Sequence, residues 1–338
     1  MTLSRRSLCA ATLAAPFVHV PAQAQAVQLR IASVVPKNSL YHRSLLELGE
    51  AWRNAQGSGA RFTVFTDGSQ GGEAEIARRM RIGQLQGALM SVVGLRELEP
   101  SIAALQNLPL LFRSWEEVDH VREKMRVGME KRFADRGFVV VGWGDAGWVR
   151  FFSKEPALVP DDFKRMKFFA WGSEPEQQAI MKSLGYTPVP LETADILPAM
   201  QTGMINVVPS TPYFALASQV FGTAGNMLEI NWAPIVGALV VTKAVWDAMT
   251  PAGQQGLRVA GEKAGVQMRM QARKEVDEAV EAMKKRGLVV NKPSPEQMRL
   301  WNDLADKLYP RIRGNMVPAE TFDEVFAHLK AYRAGGGR

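Results

Sequence analysis

Two hydrophobic periodicities alternate along the chain from Val27 onward. In Val27-Gln28-Leu29-Arg30-Ile31-Ala32 apolar and polar residues exchange at every step, which predicts a strand with one buried face. Leu45, Leu46, Leu48 and Trp52 then recur at helical spacing, predicting a helix over residues 40–53. A strand follows at residues 61–66, stopped by Asp67-Gly68 and the Gly71-Gly72 pair, then a helix at 73–81, a strand at 87–92 and a helix at 118–135. This β-α-β-α order predicts a mostly parallel sheet covered by helices, with any ligand beyond the strand ends.

A second unit starts near Trp148, with strands expected at residues 167–171 and 205–208 and helices at 175–184 and 193–201. The apolar run at 230–242 is suited to cross back to the first unit. Residues 251–285 contain no proline after the first, and at 1.5 Å per residue they predict one helix of about 50 Å, longer than a single small domain. The remainder reads as a strand at 287–291, two helices within 294–333 around the Val317-Pro318 break, both expected on the second unit, and a frayed tail at 335–338. No internal repeat is present.

Residues 1–26 have a different pattern: a polar start with Arg5 and Arg6, an apolar run over 8–20, and the small-residue steps Ala22-Gln23-Ala24 and Ala24-Gln25-Ala26. That succession predicts an export signal cleaved near Gln25 or Val27, since the apolar run is too short for a hydrocarbon core of roughly 30 Å. Ser4-Arg5-Arg6-Ser7-Leu8 also resembles a twin-arginine signal, an ordinary basic leader being the alternative. The sole cysteine, Cys9, falls in this segment. Without it the chain has no thiol for nucleophilic, redox or zinc chemistry and suits an oxidising compartment.

Charge and motifs narrow the function. The net charge of +7 becomes +5 without Arg5 and Arg6, and no run of five basic residues occurs, which favours small anions as ligands over nucleic acid. No later stretch has eighteen uninterrupted apolar residues, so the exported protein is expected to be soluble. His42, His120 and His328 are far apart, and HExxH, GxSxG and SxxK are absent. Neither a metal nor a cofactor is expected, and a binding protein accounts for the chain better than an enzyme.

Residues 147–212 are the most specific. A strand bearing Arg150 leads to Asp162-Phe163-Lys164-Arg165-Met166-Lys167-Phe168-Phe169, then Pro188-Val189-Pro190-Leu191 and Met200-Gln201-Thr202-Gly203. The order resembles the ligand half of tripartite (TRAP) transporter periplasmic solute-binding proteins of the DctP type, and the resemblance extends over about residues 29–332. It implies a periplasmic-binding-protein type II-like α/β fold, with two interleaved domains, a ligand cleft between them and a long bracing helix. The divisions expected are 27–147 with 236–275 for domain I, and 148–235 with 276–338 for domain II.

In that family two arginines grip a substrate carboxylate. Here Arg150 falls on the first position, whereas Phe169 occupies the second, which marks a subgroup lacking the second arginine. A guanidinium can hold both carboxylate oxygens in a fixed fork, but a buried arginine can equally serve a structural ion pair with Asp145 or Asp162. Phe169 and Trp171 share a strand face and give either an aromatic cleft wall or core packing. Ser210 is either a ligand contact or a helix cap. Trp148, Tyr213 and Trp232 are further aromatic candidates, and Asn38, Ser39 and Val93 are candidates from the first unit, with helix capping the alternative for Asn38 and Ser39.

The resemblance implies a monomeric periplasmic receptor that delivers a small organic ligand, an organic acid with an aromatic or apolar body, to the small and large membrane subunits of a TRAP transporter. An ABC-type receptor, a ligand sensor and an exported enzyme are the alternatives.

Overall fold

A computed structural model describes residues 26–336, so the export signal read in residues 1–26 lies, apart from Ala26, outside the described residues. Strands β1 (Gln28–Ala32), β2 (Arg61–Phe65), β3 (Gly87–Ser91) and β4 (Phe138–Trp148) form a sheet with β10 (Pro234–Thr242), in the order β2-β1-β3-β10-β4. The first three are parallel because helices α1 (Leu40–Gln56) and α2 (Glu73–Arg81) return the chain to the same end of the sheet. The apolar run at 230–242 does cross back: β10 enters antiparallel between β3 and β4.

The second sheet contains β5 (Arg150–Ser153), β6 (Lys167–Trp171), β7 (Thr187–Leu191), β8 (Val207–Ser210), β9 (Asn226–Leu228) and β11 (Val289–Asn291), in the order β11-β9-β5-β8-β6-β7. β7 holds Pro188 and Pro190, and its place at the sheet edge explains how two residues without an N–H are accommodated. The sheets are joined where β4 passes into β5 and where the chain enters β10. There the Val149 N–H donates to Ala233 O at 2.8 Å and the Trp232 N–H donates to Val149 O at 3.0 Å. Just before this crossing, the pairing of β4 with β10 slips by one residue at Ala146, a bulge that Gly147 completes with φ of 102°.

Helices α3 (Val92–Leu98) and α4 (Trp115–Asp135) cover the first sheet, and α5 (Pro175–Ser183), α6 (Ile196–Thr202) and α7 (Pro212–Ala217) lie around the second. After the short α8 (Lys243–Asp247), α9 (Pro251–Lys284) runs 34 residues, about 51 Å, as its proline-free composition predicts. Its first half packs on α1 and β4, and its last turns place Val280 and Met283 in the core of the second sheet. Thus α9 braces both units.

The close approach of α9 to β4 explains the glycine-rich run in that strand. A Cβ on Gly142 would strike the Gly261 backbone, and one on Gly265 would strike the Trp143 carbonyl. Gly265→Ala should therefore cost about 1 to 3 kcal/mol through overpacking. Gly128→Ala, on the exposed face of α4 where a Cβ would meet only the end of the Arg132 side chain at an ordinary 3.5 Å, should instead stabilise by about 0.5 to 1 kcal/mol. Denaturant melts of the two variants check the contrast.

The C-terminal segment differs from expectation. α10 (Pro295–Ile312) starts on the second unit, with Trp301 in its core, but α11 (Ala319–Ala334) packs on α4 of the first. Arg333 binds Glu117 with N–O distances of 2.7 and 2.8 Å, which holds α11 there. An amphipathic helix bears no mark of which unit it will cover, so its sequence position alone misassigned it.

Candidate functional site

Two cavities lie where the units meet. The first, about 230 Å³, opens beyond the carboxyl ends of β1 and β3 and is lined by Ser33, Glu73, Ser91, Asp145, Ser210 and Thr211 among others. This is where an open α/β sheet presents its loops to a ligand. The second, about 210 Å³, lies toward α5 and α10 and is walled by the rings of Phe151, Phe168, Trp232 and Trp301. Phe169, Trp171, Pro209 and Ile235 line both cavities and divide them. Trp171 meets Phe169 edge-to-face, with centroids 4.8 Å apart and planes at 81°.

The electrostatics of the walls are one-sided. Among the described residues, no lysine, arginine or histidine lines either cavity, and the charged groups that do are Glu73, Asp145 and Glu174. Glu73, the first residue of α2, accepts hydrogen bonds from the Ser91 N–H at 2.9 Å, the Ser91 hydroxyl at 2.6 Å and the Gly94 N–H at 2.9 Å. Burial pushes its pKa up, and those three bonds oppose the shift.

Asp145 belongs to a buried network. It accepts from Arg122 Nη1 at 3.0 Å and Arg273 Nη2 at 2.6 Å, and Arg273 also grips Asp119 through two 2.7 Å bonds. The Arg273 guanidinium lies 4.7 Å from the Trp115 ring, which packs on Trp148 at 4.8 Å. Tyr41 donates its hydroxyl to the Asp145 carbonyl at 3.1 Å, and burial pushes the Tyr41 pKa up. Glu174 is bound across the cleft by Arg96 of α3 at 3.1 Å; its pKa is raised by burial, with Arg96 opposing.

Four of the residues singled out from sequence come together here. Phe169 and Trp171 line both cavities, Ser210 the first and Trp232 the second. The alternative role for Ser210 goes to its neighbour, since Thr211 caps α7 by accepting from the Phe214 N–H at 3.4 Å.

The others stand elsewhere. Arg150 lines neither cavity: its guanidinium is 3.7 Å from Glu229, its Nε has no hydrogen-bond partner, and burial lowers its pKa with Glu229 opposing. The ion-pair partners anticipated for it are engaged elsewhere, because Asp145 pairs with Arg122 and Arg273 while Asp162 accepts from the Leu158 and Val159 N–H groups. Strand alternation turns Val149 and Phe151 toward the second cavity and Arg150 to the opposite face, which it shares with its cross-strand partner Ser210 of the first cavity.

Trp148 is buried on Trp115, Tyr213 packs edge-on to Tyr41 with centroids at 5.9 Å, and Val93 is buried inside α3. Ser39 caps α1, and Asn38, with φ of 63°, donates its N–H to His42 Nδ1 at 3.0 Å. None of these lines either of the two cavities. The sequence reading missed Glu73 and Ser91, whose only trace was the position of each at the edge of a predicted element.

Two α/β units joined by crossing strands, with an aromatic-walled cleft between them and a long helix bracing both, define a bilobal solute receptor. Residues 31–315 match bacterial extracellular solute-binding protein family 7, the DctP family, and the chain belongs to it. This is a family of receptors, not enzymes.

The C4-dicarboxylate-binding periplasmic protein of Rhodobacter capsulatus is 21% identical over 331 residues, covering 96% of this chain and 98% of that protein. An uncharacterised Salmonella typhimurium protein is 26% identical over 218 residues, so that the alignment spans 63% of this chain and 65% of its relative. Among solved structures, a TRAP periplasmic solute-binding protein from Ralstonia eutropha with bound (S)-2-acetolactate superposes with a TM-score of 0.83 at 18% identity, covering 90% of this chain and 99% of that one. That likeness agrees with the two-domain α/β fold. Among the described residues no helix is long and apolar enough to cross a membrane.

Proposed function

We propose that this protein is the periplasmic receptor of a TRAP-type secondary transporter and that it delivers a small organic ligand with an aromatic or apolar body to the small and large membrane subunits. Family membership supports the receptor role, and the relatives named for a C4-dicarboxylate and for acetolactate support organic-acid chemistry. The observation that carries the finer reading is the aromatic pair Phe169 and Trp171, which fronts both cavities where no cation does. Affinity then comes from burying the ligand's body rather than from an arginine fork. Closure follows when a solute bridges both units and favours the arrangement in which both touch it.

Titration calorimetry tests this with benzoate, phenylacetate and succinate. The aromatic acids should bind and succinate should be weaker by at least tenfold. Preference for succinate would remove the aromatic-body reading.

Arg150 supplies a second check. Because it lies outside the cavities, Arg150→Met should leave affinity for an aromatic acid within about twofold, and the melting temperature should hold or rise as a poorly paired buried cation is removed. A tenfold or greater loss of affinity with an intact melt would return Arg150 to the ligand site.

A further inference from the structure

The cavity behind Phe169 and Trp171 goes beyond what a compact acid requires. We infer that it is a tail chamber, receiving the apolar end of an elongated ligand whose polar end stays in the cleft beside Ser210 and Glu73; the inference rests on the receptor reading above and extends it to the ligand's shape.

Three features point the same way. The chamber holds about 210 Å³, close to the 230 Å³ of the cleft cavity, so the two together offer nearly twice the room of either. Its floor is a ring cluster: Phe151 lies 5.4 Å from Trp232 and 5.6 Å from Trp301, and the two tryptophans are 5.7 Å apart. Such a surface suits alkyl or aromatic carbon and offers little to a carboxylate or a sugar hydroxyl.

The third feature is the helix over the chamber. Ile180 and Met181 of α5, followed by Leu184, line the space, yet α5 contains no fully buried residue. An apolar helix face that covers empty volume is incompletely satisfied, and a ligand tail would complete its burial. The single carboxylate on the chamber wall, Glu174, is already matched by Arg96 at 3.1 Å, so it makes no demand for a cationic ligand. The partition is Phe169, Trp171, Pro209 and Ile235, and of its two rings Phe169 is held in the core while Trp171, only partly buried, meets it edge-to-face and is the one free to swing aside.

Straight-chain primary alcohols from butanol to decanol provide the probe, since each has one neutral polar end and differs only in tail. Calorimetry on the exported form of the full receptor should show the dissociation constant falling about fourfold per added methylene until the chamber is full. Met181→Trp and Leu184→Trp occupy the chamber and should end the gain at a shorter chain, while the affinity for butanol stays within twofold. If either variant melts below the working temperature, crystals of the wild type soaked in 10-bromodecan-1-ol give the second readout, with bromine expected in the chamber against the rings of Trp232 and Trp301.

A flat series, absence of binding by every alcohol, a gain unaffected by folded filling variants, or bromine elsewhere would each overturn the chamber. The receptor reading fails separately. A flat series with tight capture of a short aromatic acid removes the chamber alone, and a full series in a protein whose deletion leaves solute uptake unchanged removes transport alone.

Discussion

Asp145→Ala is expected to lower stability by about 3 to 5 kcal/mol, the range for removing one partner from a buried ion network. Asp145 has no exposed side-chain surface, and its removal leaves Arg122, 2% exposed, with one close pairing to Asp119, 35% exposed, and a long 3.9 Å approach to exposed Glu123. The loss reaches further than one pair. Arg273 sits on Trp115 and through it on Trp148, the last residue before the chain crosses between sheets, so the network fixes the end of β4. A melting temperature lower by about 10 °C is the expected calorimetric result. Asp119→Ala should cost much less, since Asp145 still meets both arginines. Equal losses in the two variants would show that the network shares its load and that Asp145 is not its centre.

Phe169→Arg should weaken capture of an apolar-bodied ligand by at least a hundredfold. The ring is buried, abuts Trp171 and borders both cavities, so a guanidinium in its place would bring a charge against apolar carbon and lose several kcal/mol to desolvation. Glu73, on the wall of the cleft cavity, gives that charge an acidic neighbourhood. The variant is therefore expected to fold with a lowered melting temperature and to gain affinity for succinate relative to benzoate. Calorimetry with both acids and a thermal melt check this. A folded variant with unchanged benzoate affinity would place the ligand away from Phe169.

Much of the fold was legible because its elements are strongly periodic. The bounds of α2 and β6 match the pattern residue for residue, and α9 ends within one residue of the proline-free stretch. β4 was harder. Its glycines serve the backbone contact with α9, a partner more than a hundred residues away in sequence that only the packed structure reveals.

The site was legible in part for a related reason. Alternation along β6 puts Phe169 and Trp171 on one face, where both line the cavities, and the same alternation along β5 places Val149 on the wall of the second cavity and Arg150 on the opposite face. Motif order fixes the neighbourhood of such a residue but not its side. Glu73 and Ser91 approach each other from positions 18 apart, and that meeting is set by the return of β3 beside β1, not by any local signal.

The central claim is that the cleft holds an organic ligand by its aromatic or apolar body. Native mass spectrometry of the protein released from the periplasm without refolding tests it most directly, by weighing and fragmenting whatever remains bound. The account predicts one equivalent of an organic molecule with an aromatic ring or alkyl chain, lost from Phe169→Arg and retained by Arg150→Met. A bound C4-dicarboxylate or sugar acid retained by Phe169→Arg and lost from Arg150→Met would contradict it.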